Sequence, residues 1–100
     1  MGSKIEDIKN GIQKAFPNSK IHYLEKKFEL HKFRIDREEK PSCWLYLTWE
    51  YIEDNNEDEI LAMLRKSKVF EIIINSHKQK WFAFGTFGLK EVDDSYGRGH

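Results

Sequence analysis

Residue types able to do chemistry are few in this chain. Cys43 is the lone cysteine, and with His22, His31 or His77 it could compose a thiol–imidazole pair in which the ring takes the thiol proton. The run around it, "CWLYLTWEYI" (43–52), is apolar, and a cysteine in such a run is ordinarily a small buried hydrophobe. The histidines at 22, 31, 77 and 100 lack metal-ligand spacing, and Cys43 has no second thiol to join it. The acids of "EYIEDNNEDE" (50–59) lack the alternating Asp/Asn pattern and central glycine of a calcium loop. No phosphate loop, nucleophile elbow or carboxylate pair occurs. The expectation is a non-enzyme that needs no cofactor and no metal.

The stretch that stands out is "KWFAFGTF" (80–87), four aromatics and two small residues in eight positions. A strand that faces water on one side alternates apolar with polar. Here Trp81, Ala83, Gly85 and Phe87 share one face, and Lys80, Phe82, Phe84 and Thr86 the other. Both faces therefore call for cover.

The elements that position this stretch follow from periodicity. Ile5, Ile8, Ile12 and Ala15/Phe16 repeat at helical spacing, Ser3 with Glu6 forms a capping box, and Pro17 ends the helix. Residues 20–37 read as extended, but the apolar alternation changes phase, from Ile21 and Tyr23 to Leu24, Phe28 and Leu30, then to Phe33 and Ile35. One inserted residue flips every later side chain, so two strands meeting near Glu25–Lys27 are expected, with one long bent strand as the alternative. "REEKPS" (37–42) is a loop and 43–52 a third strand, rich in aromatics. "DNNEDEILAMLRKSK" (54–68) is a short helix with Asn56 and Glu59 as a capping box, Arg65 and Lys66 at its carboxyl end, and Ile60, Leu61 and Leu64 as its apolar stripe. "VFEIIIN" (69–75) and "KQKWFAFGTF" (78–87) read as two strands of a hairpin. The order α-β-β-β-α-β-β implies an α+β domain, an antiparallel sheet of about five strands with two short helices on one face. Residues 1–94 make that single domain, and 95–100 a loose tail.

Two short helices cover roughly 20 Å of sheet width, enough for one face of five strands but not for two. On the expected split, Cys43, Leu45 and Leu47 face the helices with Phe70, Ile72 and Ile74, and the outward set is Trp44, Tyr46, Ile73, Lys80, Phe82 and Phe84. If Phe82 and Phe84 belong instead to the core, the split inverts and Trp81 and Phe87 become the outer surface.

Net charge is zero, which argues against a global field for nucleic acid or membrane, but its distribution is uneven. Residues 1–40 carry ten bases against seven acids, 41–64 six acids and no base, and 65–82 five bases against one acid. One cysteine excludes an internal disulfide framework, and no apolar run approaches the ~18 residues of a membrane span. A cytoplasmic location is expected, with no membrane partner.

Lys80, Phe82, Ala83, Phe84 and Phe87 resemble the octapeptide of the RNA-recognition motif, in which aromatics on a strand stack on bases; Trp81 and Gly85 depart from it. The order helix, three strands, helix is similar to double-stranded-RNA-binding domains, to which this chain adds a hairpin. The whole order also resembles bacterial secretion chaperones, without their C-terminal helix. The leading expectation is a small protein-binding module, an inhibitor, immunity-type or adaptor protein, using the aromatic open sheet face on another protein or on a second copy of itself. The alternative is a single-stranded RNA or DNA binder with Phe82 and Phe84 as stacking platform and Lys80 on phosphate.

Overall fold

A computed structural model describes residues 3–96 of the chain. Helix α1 (Ser3–Ala15) buries Ile8 and Ile12 completely and stops before Phe16 and Pro17. The side chain of Ser3, expected as its cap, lies outside the described residues. Gly11 sits inside this helix, where it costs roughly 1 kcal/mol against alanine. A Cβ there would stand 2.5 Å from the methyl carbons of Leu61, so the glycine lets a second helix approach closely.

Strands β1 (Lys20–Lys26) and β2 (Leu30–Asp36) form the expected pair, joined by a turn over 27–29 that holds Phe28 at φ 64°. Strand β3 (Cys43–Thr48) pairs antiparallel with β2, Leu45 opposite Phe33. Three helices follow: α2 (Trp49–Asp54), α3 (Glu57–Ser67) and α4 (Val69–Asn75). Strands β4 (Lys80–Gly85) and β5 (Gly88–Val92) close the chain, and the sheet order is β1-β2-β3-β4-β5. The α+β class and the number of strands stand as expected, but the membership changes: 69–75 is not a strand, and β5 (Gly88–Val92), which was not expected, takes the fifth place. The Asn56 cap stands as expected, with Oδ1 accepting from the Glu59 N–H at 2.8 Å and Glu59 Oε1 from the Asn56 N–H at 3.0 Å.

Three expectations are corrected. The third strand ends at Thr48, because Thr48 caps α2 by accepting the Tyr51 N–H on Oγ1 at 3.4 Å; "WEYI" is helical. "VFEIIIN" is a helix, so there are four helices rather than two, and the last hairpin is β4–β5 rather than 69–87. Its β-branched residues favour a strand locally, but burial decides otherwise. Val69, Phe70 and Ile73 enter the core at helical spacing, while Ile72 and Ile74, expected to face inward, remain exposed. Arg37 secures the carboxyl end of α4: its Nη1 donates to the carbonyls of Ile73 at 2.5 Å and Ser76 at 2.8 Å, and its Nε to Pro41 at 2.8 Å. Lys40 adds a bond to the Ile74 carbonyl at 3.0 Å.

The sheet is mixed rather than wholly antiparallel, since β3 and β4 run parallel. The three intervening helices form the crossover that a parallel pair requires. All four helices pack on one face, where Ile8, Ile12, Ile60, Leu64, Val69 and Ile73 meet Phe33, Ile35, Leu45 and Leu47 in one core.

Candidate functional site

The register sorts every strand residue onto one of two faces. Leu45 stands opposite Phe82 and Leu47 opposite Phe84, so those phenylalanines point to the helices. Phe82 is 3% and Phe84 2% exposed, and Phe84 meets the ring of Tyr51 edge-on at 5.3 Å. Ile73 is wholly buried beneath α4. Lys80, opposite Cys43, lies at the helix-side end of β4 and pairs with Glu91 at 3.3 Å. Four of the six residues expected on the open face are therefore absent from it. Trp44 and Tyr46 stay. The likeness to the RNA-recognition octapeptide does not carry into three dimensions, since Phe82 and Phe84 are core residues here.

The open face consists instead of the alternate positions. Trp44 stands opposite Trp81 and Tyr46 opposite Ala83, and the indoles stack at 5.1 Å with planes 10° apart. Leu30, Tyr46 and Ala83 form a second small apolar cluster with Trp44, Trp81, Val92 and Tyr96 packed on it. The expected loose tail is tied down at its start: the Tyr96 ring lies on Tyr46 at 6.1 Å, and Ser95 is held to the Asp93 carboxylate. The second face is thus partly closed by the chain itself, which leaves Tyr46 only 4% exposed.

Charge distinguishes the faces further. Lys20, Lys26, Lys32, Arg34 and Lys90 share the open-face parity with a single carboxylate, Asp36. Asp36 receives Arg34 at 3.0 Å, His22 at 2.9 Å and the Ser42 hydroxyl at 2.6 Å. Burial alone would raise its pKa, but the Ser42 and Arg34 hydrogen bonds with the adjacent cations outweigh that and hold it below the usual carboxylate range. Lys32 lies 6.0 Å from the Tyr46 ring, and Lys90 approaches both Phe87 at 4.8 Å and Tyr96 at 5.3 Å. The six acids between 50 and 59 all lie on α2 and α3, and Glu50 joins Glu29 in lining the cleft at the end of the sheet.

Both hairpin turns and the β3–α2 junction fall at the same end of the sheet, where a cleft of about 630 Å³ opens. Phe28 and Phe87 stand at its rim, 73% and 50% exposed, with Leu30, Thr48, Trp49 and Tyr96 in its walls. Phe28 is held in the left-handed region, where a bulky L-residue is strained by ~1–2 kcal/mol. Residues held in sparsely populated backbone conformations cluster at functional sites. Gly85 lets β4 approach Thr48 closely behind the cleft wall: a Cβ would sit 2.7 Å from Thr48 Oγ1, the atom that caps α2.

A line of rings ties the cleft to the core. Phe28 meets Trp49 edge-on at 5.5 Å, Trp49 stacks on His31 at 4.5 Å, and His31 lies against Tyr23 at 5.8 Å. Burial pushes the Tyr23 hydroxyl up to about 12, helped by the charge of Glu25, so it remains a donor. Burial also lowers the His31 pKa, against the opposing pull of Glu25 and Glu53. The Tyr23 hydroxyl and His31 Nδ1 share a hydrogen bond at 2.5 Å, and His31 Nε2 has no partner among the described residues.

Cys43 is fully buried, with Sγ 3.7 Å from the Lys78 carbonyl, and packs as a small apolar residue. Among the described residues, no group of three or more His, Cys, Asp or Glu could hold a metal ion. No described helix is long and apolar enough to cross a membrane. No family model, curated protein or solved structure matches the chain.

Proposed function

We propose that this chain is a small protein-binding module of the inhibitor, immunity-type or adaptor kind, acting through the sheet face opposite its helices. The supporting observation is the cleft at the end of that face, bounded by Phe28 and Phe87, two exposed rings on separate hairpin turns. Solvent-exposed phenylalanines are costly to keep, and aromatic anchors often carry ≥ ~2 kcal/mol each at an interface. The Trp44–Trp81 pair extends the same apolar surface up the sheet. Catalysis is no part of this reading. A cytoplasmic location accompanies it, on the strength of the single buried thiol.

Placing a photo-crosslinking phenylalanine analogue at position 28 or 87 tests the reading in the native source. Protein adducts from both positions, absent when the analogue replaces exposed Ile72 on α4, are expected. Adducts that disappear on nuclease treatment, or none at either position, would overturn it.

A further inference from the structure

His31 takes no part in the proposed binding surface, yet it is a buried ionisable side chain. It is 4% exposed, its Nε2 has no partner among the described residues, and its ring lies between Trp49 and Tyr23. Trp49 in turn holds the β1–β2 turn. Its backbone N–H donates to the Glu29 carbonyl at 3.0 Å, and its indole meets Phe28 edge-on. A bulky residue such as Phe28 stays in the left-handed region only while its surroundings hold it there. We propose that His31 is a proton-operated latch: the neutral ring clamps Trp49 and, through it, the turn over 27–29, whereas the protonated ring leaves the stack and frees both. The device belongs to the chain itself and does not depend on what binds at Phe28.

The groups around the ring decide which way the latch works. On β1, Glu25 stands directly opposite His31 in the register, and Tyr23 is bonded to its Nδ1. On β3 the opposite residue is Leu47, which offers neither a charge nor a side-chain hydrogen bond. On α2 the indole of Trp49 covers the ring, and the Glu53 carboxylate acts on it through its charge. At the turn, Lys26 pairs with Glu29 at 3.4 Å and Lys27 lies over the Phe28 ring at 5.3 Å. Glu25, Glu53 and the indole face all favour a cation, but burial outweighs them and favours the neutral ring. Whichever nitrogen carries the proton of the neutral ring, a second proton adds a buried charge while Nε2 stays unpaired. Glu25 and Glu53 are both exposed, so the cation gains by turning out toward them and water. That movement withdraws the platform on which Trp49 stacks.

The test follows the native chain, labelled with fluorotryptophan and heavy nitrogen, by NMR from about pH 7.5 to about pH 5. The His31 ring and the Trp49 fluorine, assigned with a Trp49→Phe sample, are expected to titrate together with a midpoint below ~6.5. Amide hydrogen exchange, corrected for its intrinsic pH dependence, should show the protection of Trp49 and Glu29 falling at least ~5-fold over that range. Exchange at Trp49 should ignore ~0.5 M urea, as a local opening does, while exchange at Leu45 in β3 follows it. Titration of the ring with no loss of protection at Trp49 overturns the proposal, because His31 then charges in place. So does exchange at Trp49 as sensitive to urea as that at Leu45, since the turn then opens only with the whole domain. His31→Phe keeps an apolar ring under Trp49 and should hold its protection constant across the range. The same loss in a folded H31F chain also overturns the proposal, because the proton then acts elsewhere. If H31F does not fold, the two exchange measurements on the native chain still decide.

Discussion

The two faces of the sheet are built from the same strands and share almost nothing else. On the helix side, Phe33, Ile35, Leu45 and Leu47 are wholly buried, with Phe82 and Phe84 nearly so, and four helices contribute to the packing. One residue away along each strand, the open side offers stacked indoles, a tyrosine under the tail and a surplus of cations. The pleat alone separates these surfaces. Burial energy is concentrated on one of them, which leaves the other free to carry strain at Phe28 and charge at Arg34 without endangering the fold.

The sharpest way to break this comparison is a pair of substitutions at neighbouring positions of β4. Phe82→Ala should cost ~3–5 kcal/mol in chemical denaturation, as large-to-small changes in a packed core do. Trp81→Ala, on the half-buried open side, should cost clearly less. Equal costs would mean that the open face is a second core rather than a binding surface.

Titration sharpens the same contrast. His31 lies on the helix side with a pKa lowered by burial, so the unfolded chain takes up its proton first as pH falls. Its contribution is intact above the unfolded value of ~6.5 and is lost as pH falls from there toward its folded pKa. The midpoint of urea unfolding should therefore fall across that window in the native chain. His31→Phe should flatten that part of the curve.

The smallest expected change is at Phe28. Glycine relieves the positive φ but forfeits the edge-on contact with Trp49, terms of ~1–2 and ~0.5–1.5 kcal/mol that nearly cancel. Phe28→Gly should leave the melting temperature within a few degrees of the native value and still reduce crosslinking of a partner at position 87. A large drop in stability would assign Phe28 to structure rather than to binding.

Local pattern was enough for much of the framework. The periodicity of Ile5, Ile8 and Ile12, the Asn56–Glu59 cap, the phase change between Leu24 and Phe33, and the apolar parity of Cys43, Leu45 and Leu47 each involve residues close in sequence, and each reappears in the fold. The class α+β and four of the five strands followed from them, while β5 (Gly88–Val92) did not. Tertiary structure decided the rest, because the deciding partners are far away along the chain. "VFEIIIN" is helical since its Val69, Phe70 and Ile73 reach the core and Arg37, 36 residues from Ile73, holds its end. The face of Phe82 and Phe84 was illegible because β4 is apolar on both sides, so only its register against Leu45 and Leu47 distinguishes them. The cleft could not be read at all. It depends on two turns some 60 residues apart and on Thr48 meeting Gly85, and chain order carries no information about which turns share an end of the sheet until β3 and β4 are known to run parallel.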